Sequence, residues 1–287
     1  MISWVINALQ SASGFTVRGN EGNDEITFSS DADAASANDV VLNANAGADS
    51  VSAVWTGTEA AGFTVRGGSD NDTIRTVFSA ISAVSGGNGV AVRGNKGDDS
   101  IFFTLGSAGV GVASGVQVNG NSGADTIAAT AAADVADFNV VGGRGNDSVS
   151  AVYVNNITAL DSNVRGNLGN DTVVLTLQSG GFASGLSVDG GSGDDAVTLN
   201  VNSAAAFAFG SANSILGGTG ADTINVNVAG DMNVTGASGM VVELGAAGTV
   251  SAGTAGVGGT INLNLSAAMS GGGIVFRGTD TADTFNI

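Results

Sequence analysis

The chain of 287 residues has no cysteine, no histidine and no proline. Lack of cysteine removes disulfides, thiolate metal sites and thiol nucleophiles. Lack of histidine removes the usual general base and the commonest transition-metal ligand. At a typical usage of roughly 5%, proline would occur about 14 times in a chain of this length. Its absence suits a molecule in which nearly every backbone N–H is needed for a strand ladder. Basic residues are scarce as well: Lys and Arg total 8 against 26 Asp and Glu, a formal net charge of −18. This argues against a nucleic-acid surface, which needs clustered Lys and Arg, and against an anionic membrane surface. It fits a cationic partner, of which a metal ion is the simplest. No run approaches ~18 consecutive apolar residues, so no membrane-spanning helix is expected. The opening MISWVINALQSASG lacks the basic n-region of a signal peptide.

What is present is glycine, 47 residues, in a chain that is 43% hydrophobic. That is enough apolar content for a core, so the glycine does not mark a disordered tail. The glycines recur with a period. The segments VRGNEGND (17–24), LNANAGAD (42–49), VRGGSDND (65–72), VRGNKGDD (92–99) and VNGNSGAD (118–125) are followed by VVGGRGND (140–147), VRGNLGND (164–171), VDGGSGDD (188–195), ILGGTGAD (215–222) and FRGTDTAD (276–283). Each ends in an aspartate: Asp24, Asp49, Asp72, Asp99, Asp125, Asp147, Asp171, Asp195, Asp222 and Asp283. The first nine are 22 to 27 residues apart, a period near 25.

After each Asp, apolar residues stand two and four positions on, as in Ile26 and Phe28, Ile101 and Phe103, Val197 and Leu199. Polar residues alternate with them, the pattern of a strand with one buried face, here strand B. Seven and nine positions before the Asp, pairs such as Val17 and Phe15 or Val118 and Val116 mark a second strand, strand A. Each period then reads as strand A, a Gly–Asp turn, strand B, and a looser return of Ser, Ala, Gly and Asn. One such unit cannot bury its own apolar face, but stacking units at about 4.8 Å gives each strand two neighbours and a continuous core. The expected fold is all-β: a single β-solenoid or β-roll domain over 1–287, regular to 222 and degenerate over 223–287, where ASGMVVELG (237–245) and GGTINLNL (258–265) read as coils that have lost their Asp. Ile2, Trp4 and Ile6 read as a strand B at the beginning, and Phe285 and Ile287 as one at the end. Both ends then offer open sheet edges, a template for stacking.

The turns VDGGSGDDAV, ILGGTGADTI and VVGGRGNDSV resemble the RTX, or hemolysin-type, calcium-binding repeat. The resemblance implies that the ten motif Asp residues and carbonyls of the Gly-rich turns hold several Ca²⁺ ions between adjacent coils. It also implies an extracellular protein with type I-like export. Elementary chemistry agrees with the metal: Ca²⁺ takes six to eight oxygen ligands and mixes carboxylates with carbonyls. One ion between each neighbouring pair of the first nine turns would carry the net charge from −18 to −2. Three features depart from the family. One motif occurs per ~25 residues rather than one per nine. Ala44, Asp70 and Thr281 replace motif glycines, and Asp283 has no following coil in this chain. For a lone Asp the simpler role would be an Asx-turn onto its own backbone.

Five of the seven arginines, Arg18, Arg66, Arg93, Arg165 and Arg277, share the place just before the first motif Gly. They read as a solvated row offsetting the Asp column, or as a contact for cell-surface polysaccharide. An ice-binding face is disfavoured, since Arg75, Phe102 and Val174 interrupt the outer face of strand B. The adjacent pairs Asp98–Asp99 and Asp194–Asp195 have the form of carboxylate dyads but sit in the metal-type turns. The expected function is therefore non-enzymatic: an extracellular structural protein, a Ca²⁺-stabilised solenoid assembling as a homo-oligomer into a surface layer, sheath or filament. The alternative is a calcium-folded adhesin or secretion-associated module of a larger exoprotein.

Overall fold

The computed structural model describes residues 2–5, 11–30, 36–57, 59–79, 83–84, 89–106, 112–155, 162–178, 182–202, 207–209, 213–228, 232–234, 240–243, 260–265, 269–271, 274–277 and 284–286. It is a parallel β-solenoid. Strand B of successive coils builds one 12-stranded sheet that runs from Ile2–Val5 through Glu25–Ser29, Ser50–Trp55 and Thr73–Phe78 to Thr260–Leu265 and Thr284–Asn286. Strand A of each coil lies in a 15-stranded sheet, again by parallel pairing. The register runs from Asp to Asp: Ser100 pairs with Thr126, and Thr126 with Ser148. Both end segments and the degenerate coils obey it, since Ile2 pairs with Ile26, Thr223 with Thr260, and Thr260 with Thr284.

The return departs from the two-strand expectation. It carries a third strand, short and Ala-rich, seen at Ser11–Ser13, Ser36–Asn38, Glu59–Ala61 and Ala83–Val84. In later coils it recurs as a separate four-stranded sheet from Phe182–Ala183 to Met269–Gly271. Twice it fuses with strand A into one 11-residue strand, Val112–Ser122 and Asp134–Arg144. The coil is thus three-sided. The corner between return and strand A places Gly14, Asp39, Gly62, Gly115, Asp137 and Gly185 at φ of 52–72°. Only glycine, or a residue such as Asp with a short polar side chain, takes that conformation readily.

The inward residues form one core. Strand B contributes Ile26, Val51, Ile74, Ile101, Ile127, Val149, Val173, Val197 and Ile224 in a single buried column. Strand A contributes Val17, Leu42, Val65, Val92, Val118, Val140, Val164, Val188 and Ile215, and the return adds small Ala37, Ala60, Ala113 and Ala183. The N-terminal half also threads a chain of rings through the core. Phe15, Phe28, Phe63, Phe78, Phe103, Phe138 and Tyr153 follow one another at centroid distances of 5.2–6.4 Å. β-Branched residues fill the pleated ladders, and edge-to-face rings each add about 0.5–1.5 kcal/mol beyond burial.

Candidate functional site: the aspartate ladder

The turn between strands A and B has the same form in nine consecutive coils. Four residues before the motif Asp, the backbone is left-handed, with φ of 77–88° at Asn20, Asn45, Asn95, Asn121 and Asn167 and larger values at Gly68, Gly143, Gly191 and Gly218. Two residues before the Asp it is left-handed again, at Gly22, Gly47, Gly97, Gly123, Gly145, Gly169, Gly193 and Gly220. Asp70 holds this second place in its own coil at φ 78°, so the substituted turn keeps its shape. The positions are restricted to Gly, Asn and this one Asp because other side chains pay for positive φ.

These paired reversals turn the motif Asp inward. Asp49, Asp72, Asp99, Asp125, Asp147, Asp171, Asp195 and Asp222 are only 1–3% exposed. They form the stacked column that the period implies, and they face inward instead of making Asx-turns onto their own backbone. Each Oδ1 instead accepts the backbone N–H of the Asp one coil earlier. The bonds run from Asp24 N to Asp49 at 2.6 Å, Asp99 N to Asp125 at 2.8 Å and onward to Asp195 N and Asp222 at 2.9 Å, eight in unbroken series.

A second ladder, on the exposed side, runs the other way. Asn or Asp one place before the motif Asp accepts the N–H of its equivalent in the next coil. Examples are Asn71 from Asp98 at 2.9 Å, Asp98 from Ala124 at 2.7 Å and Asp194 from Ala221 at 2.8 Å. The series breaks after Ala48 and Ala124, which have no acceptor to offer. The pairs Asp98–Asp99 and Asp194–Asp195 are thereby split, one carboxylate exposed and bonded to the next turn, the other buried.

The second carboxylate oxygen has no such partner. Oδ2 of the eight aspartates from Asp49 to Asp222 is buried without a hydrogen bond. In seven of the eight it packs on the Gly five residues earlier, where a Cβ at Gly67, Gly94, Gly120, Gly142, Gly166, Gly190 or Gly217 would overlap that oxygen; Asp49 has Ala44 there. At Gly94, Gly166 and Gly190 the same spot is also approached by a backbone carbonyl of the next coil, from Gly120, Gly190 and Gly217 respectively. Strand pairing skips this position, joining Arg93 to Asn119 and Asn95 to Asn121 but not the glycines between. An unpartnered carboxylate oxygen and a backbone carbonyl therefore lie near one another inside the turn.

Burial raises the pKa values of these carboxyls. Asp72, Asp125, Asp171 and Asp222 are pushed up to about 6, and Asp99 and Asp195 to about 7; Asp49 and Asp147 move in the same direction. Desolvation is the main cause in every case. The N–H bond from the preceding coil opposes it, and most of the eight feel neighbouring carboxylates that add to it. No arginine enters. The row Arg18, Arg66, Arg93 and Arg165 lies along the outer face of strand A, where Arg66 pairs in register with Arg93 and Arg165 with Asp189. None of these arginines is among the groups that shift the eight motif carboxyls, whereas Arg165 acts on Asp189. Asp283 lies outside the described residues, and in sequence Gly259 takes the place that Asp222 holds one coil earlier.

A hard cation fits this donor set. Ca²⁺ takes carboxylate and carbonyl oxygens, and a positive charge would relieve the buried carboxylates. No three acidic, His or Cys side chains gather at one point among the described residues, so carbonyls would have to supply most ligands. Fold and site together define the molecule as a parallel β-solenoid with a stacked aspartate ladder, one rung per coil. Comparison with models of known protein families, with curated proteins and with solved structures finds no match to the chain.

Sequence reasoning missed the third strand, the left-handed corner and the outer ladder of Asn and Asp. The last was visible as Asn23, Asn71, Asp98, Asn146, Asn170 and Asp194, all one place before the motif Asp.

Proposed function

We propose that the chain is an extracellular structural protein, a solenoid whose turns are filled by Ca²⁺ and which assembles with copies of itself into a surface layer, sheath or filament. The observation that carries the metal is the convergence of an unpartnered, buried Asp Oδ2 and a carbonyl of the next coil at Gly94, Gly166 and Gly190. The likeness of the turns to RTX repeats supports the same ion. Motif aspartates Asp24 to Asp222 would provide the carboxylates, and the turn carbonyls the remaining ligands. Millimolar Ca²⁺ outside cells suits sites of modest affinity. Neutralising the buried carboxylates also lowers the self-repulsion of a chain of charge −18, which opposes packing of copies. No catalytic role is assigned.

A second reading is a calcium-folded binding module. It is favoured by a groove of about 590 Å³ on the strand A side, lined by Arg93, Gln117, Thr64, Asp39 and Asp137, with polar groups suited to a polysaccharide. A Ca²⁺ titration followed by circular dichroism and light scattering, with Mg²⁺ as control and EGTA reversal, separates the two. Ca²⁺-specific gain of β signal with large particles supports the structural protein, and a Ca²⁺-folded monomer supports the module. A chain equally β-rich in EGTA removes the calcium from both.

A further inference from the structure

We infer that the outer face of the 12-stranded sheet, from Ser100 onward, is the surface on which a second copy of this chain packs. The inference rests on the assembly proposed above and adds the face that mediates it. Strand B sends alternate residues outward, and they stack in straight columns because the register steps from coil to coil without slippage. Between Thr126 and Asn227 the outward residues of strand B include no charged side chain. They are Thr, Ser, Asn and Gln178, interrupted by apolar Ala128, Val152, Val174 and Ala196, with Phe102 next to them at 46% exposure. The two charges of this face, Glu25 and Arg75, both precede Ser100.

The strand A side and the Gly–Asp turns are charged, and the return carries Glu59 and Asp134. Arginines and Asp189 occupy strand A, Asp39 and Asp137 its corner, and Asp70, Asp98 and Asp194 the exposed turns. For a chain of net charge −18, contact between identical copies is opposed wherever like charges meet. The sheet face is where two copies approach without placing carboxylates against carboxylates. Its size is adequate. Eight strands at about 4.8 Å spacing and up to six residues at about 3.3 Å give roughly 700 Å², against about 800 Å² per partner in a standard interface. Depletion of charge with exposed aromatic and aliphatic groups is the composition of an interface core.

The test is sedimentation of the Ca²⁺-loaded full chain carrying Val174→Glu or Thr176→Glu, with Gln117→Glu and Ser187→Glu on strand A as controls of equal charge. Association weakened about 100-fold by the sheet-face changes and less than threefold by the controls is the expected result. Circular dichroism checks that each variant folds. Thr176→Cys gives a readout independent of the added charge, because the chain has no other thiol; oxidation should yield a covalent dimer where Gln117→Cys yields none. A wild-type chain that associates yet responds equally to both sets overturns the inference and leaves the assembly reading standing. A chain that stays monomeric in Ca²⁺ overturns both. A monomer that slows ice growth, and loses this with Val174→Glu, overturns the second copy as the occupant.

Discussion

The Gly–Asp turn and the return strand belong to the same coil, yet they obey different rules. The turn keeps its length and its two left-handed positions in nine coils and buries its Asp in eight of them, even where Asp70 replaces a glycine. The return absorbs all the variation in spacing, from 22 residues between Asp125 and Asp147 to 27 between Asp72 and Asp99. The difference follows from what each must satisfy. The turn buries carboxylates and ties each to the backbone of its neighbour, so a displaced atom leaves a buried polar group unpaired. The return buries mostly alanine and needs only a few ladder bonds, and loop length itself costs little.

The sharpest way to break the contrast is in the centre of the ladder. Asp125→Ala removes the acceptor for the Asp99 N–H and a carboxylate of the turn. We expect a loss of roughly 2–4 kcal/mol in Ca²⁺, read from chemical denaturation, part of it the 1–3 kcal/mol of a buried unpaired N–H. Asp125→Asn sharpens the result. It retains the acceptor and removes the charge, so it should lower stability in Ca²⁺ but raise it in EGTA at pH 8, where the wild-type carboxyl is ionised and buried.

The pH dependence comes next. The motif carboxyls have folded-state values of about 6 to 7 against an ordinary 3.8, so between these limits the folded chain binds more protons than the unfolded one. The metal-free protein is therefore most stable below about pH 4 and loses stability as pH rises through 6 to 7, the reverse of ordinary acid denaturation. With Ca²⁺ present protons compete with the ion, and stability should instead rise over that window. Melting temperatures from pH 4 to 8 in EGTA and in Ca²⁺ check both slopes.

A smaller effect is expected at the glycine under the carboxylate. Gly120→Ala sets a methyl against Asp125 Oδ2 and should cost about 1–3 kcal/mol, as overpacking does. The smallest belongs to the return: a Gly–Ser insertion between the strands Ala196–Asn202 and Phe207–Phe209 should change stability by under about 0.6 kcal/mol. Equal costs for insertions in turn and return would remove the distinction between them.

The sequence made the solenoid legible because two signals stayed in phase, an Asp near every 25th residue and apolar alternation on both sides of it. Even the degenerate end was readable, since TINLNL carries strand B alternation without an Asp, and Thr260–Leu265 joins the same sheet. Which way the carboxylates point was not read. Spacing fixes a residue's place in the coil, whereas direction depends on two left-handed residues and on a missing Cβ. The clue was present, since the residue four places before each of the nine Asp is always Asn or Gly. The return strand stayed hidden because Ala-rich triplets such as Ser36–Asn38 have no period long enough to separate strand from loop.

The central claim is that the turn interior is a cation site and not merely a buried carboxylate column. Equilibrium dialysis of the folded chain against Ca²⁺ at pH 7.5 tests it most directly. The account predicts several ions bound per chain, up to one for each adjacent pair among the nine turns, with fewer bound by Asp125→Asn and protons released on binding. A folded chain that binds no Ca²⁺, its motif carboxyls titrating near pH 6 to 7 whether or not the ion is present, would contradict it.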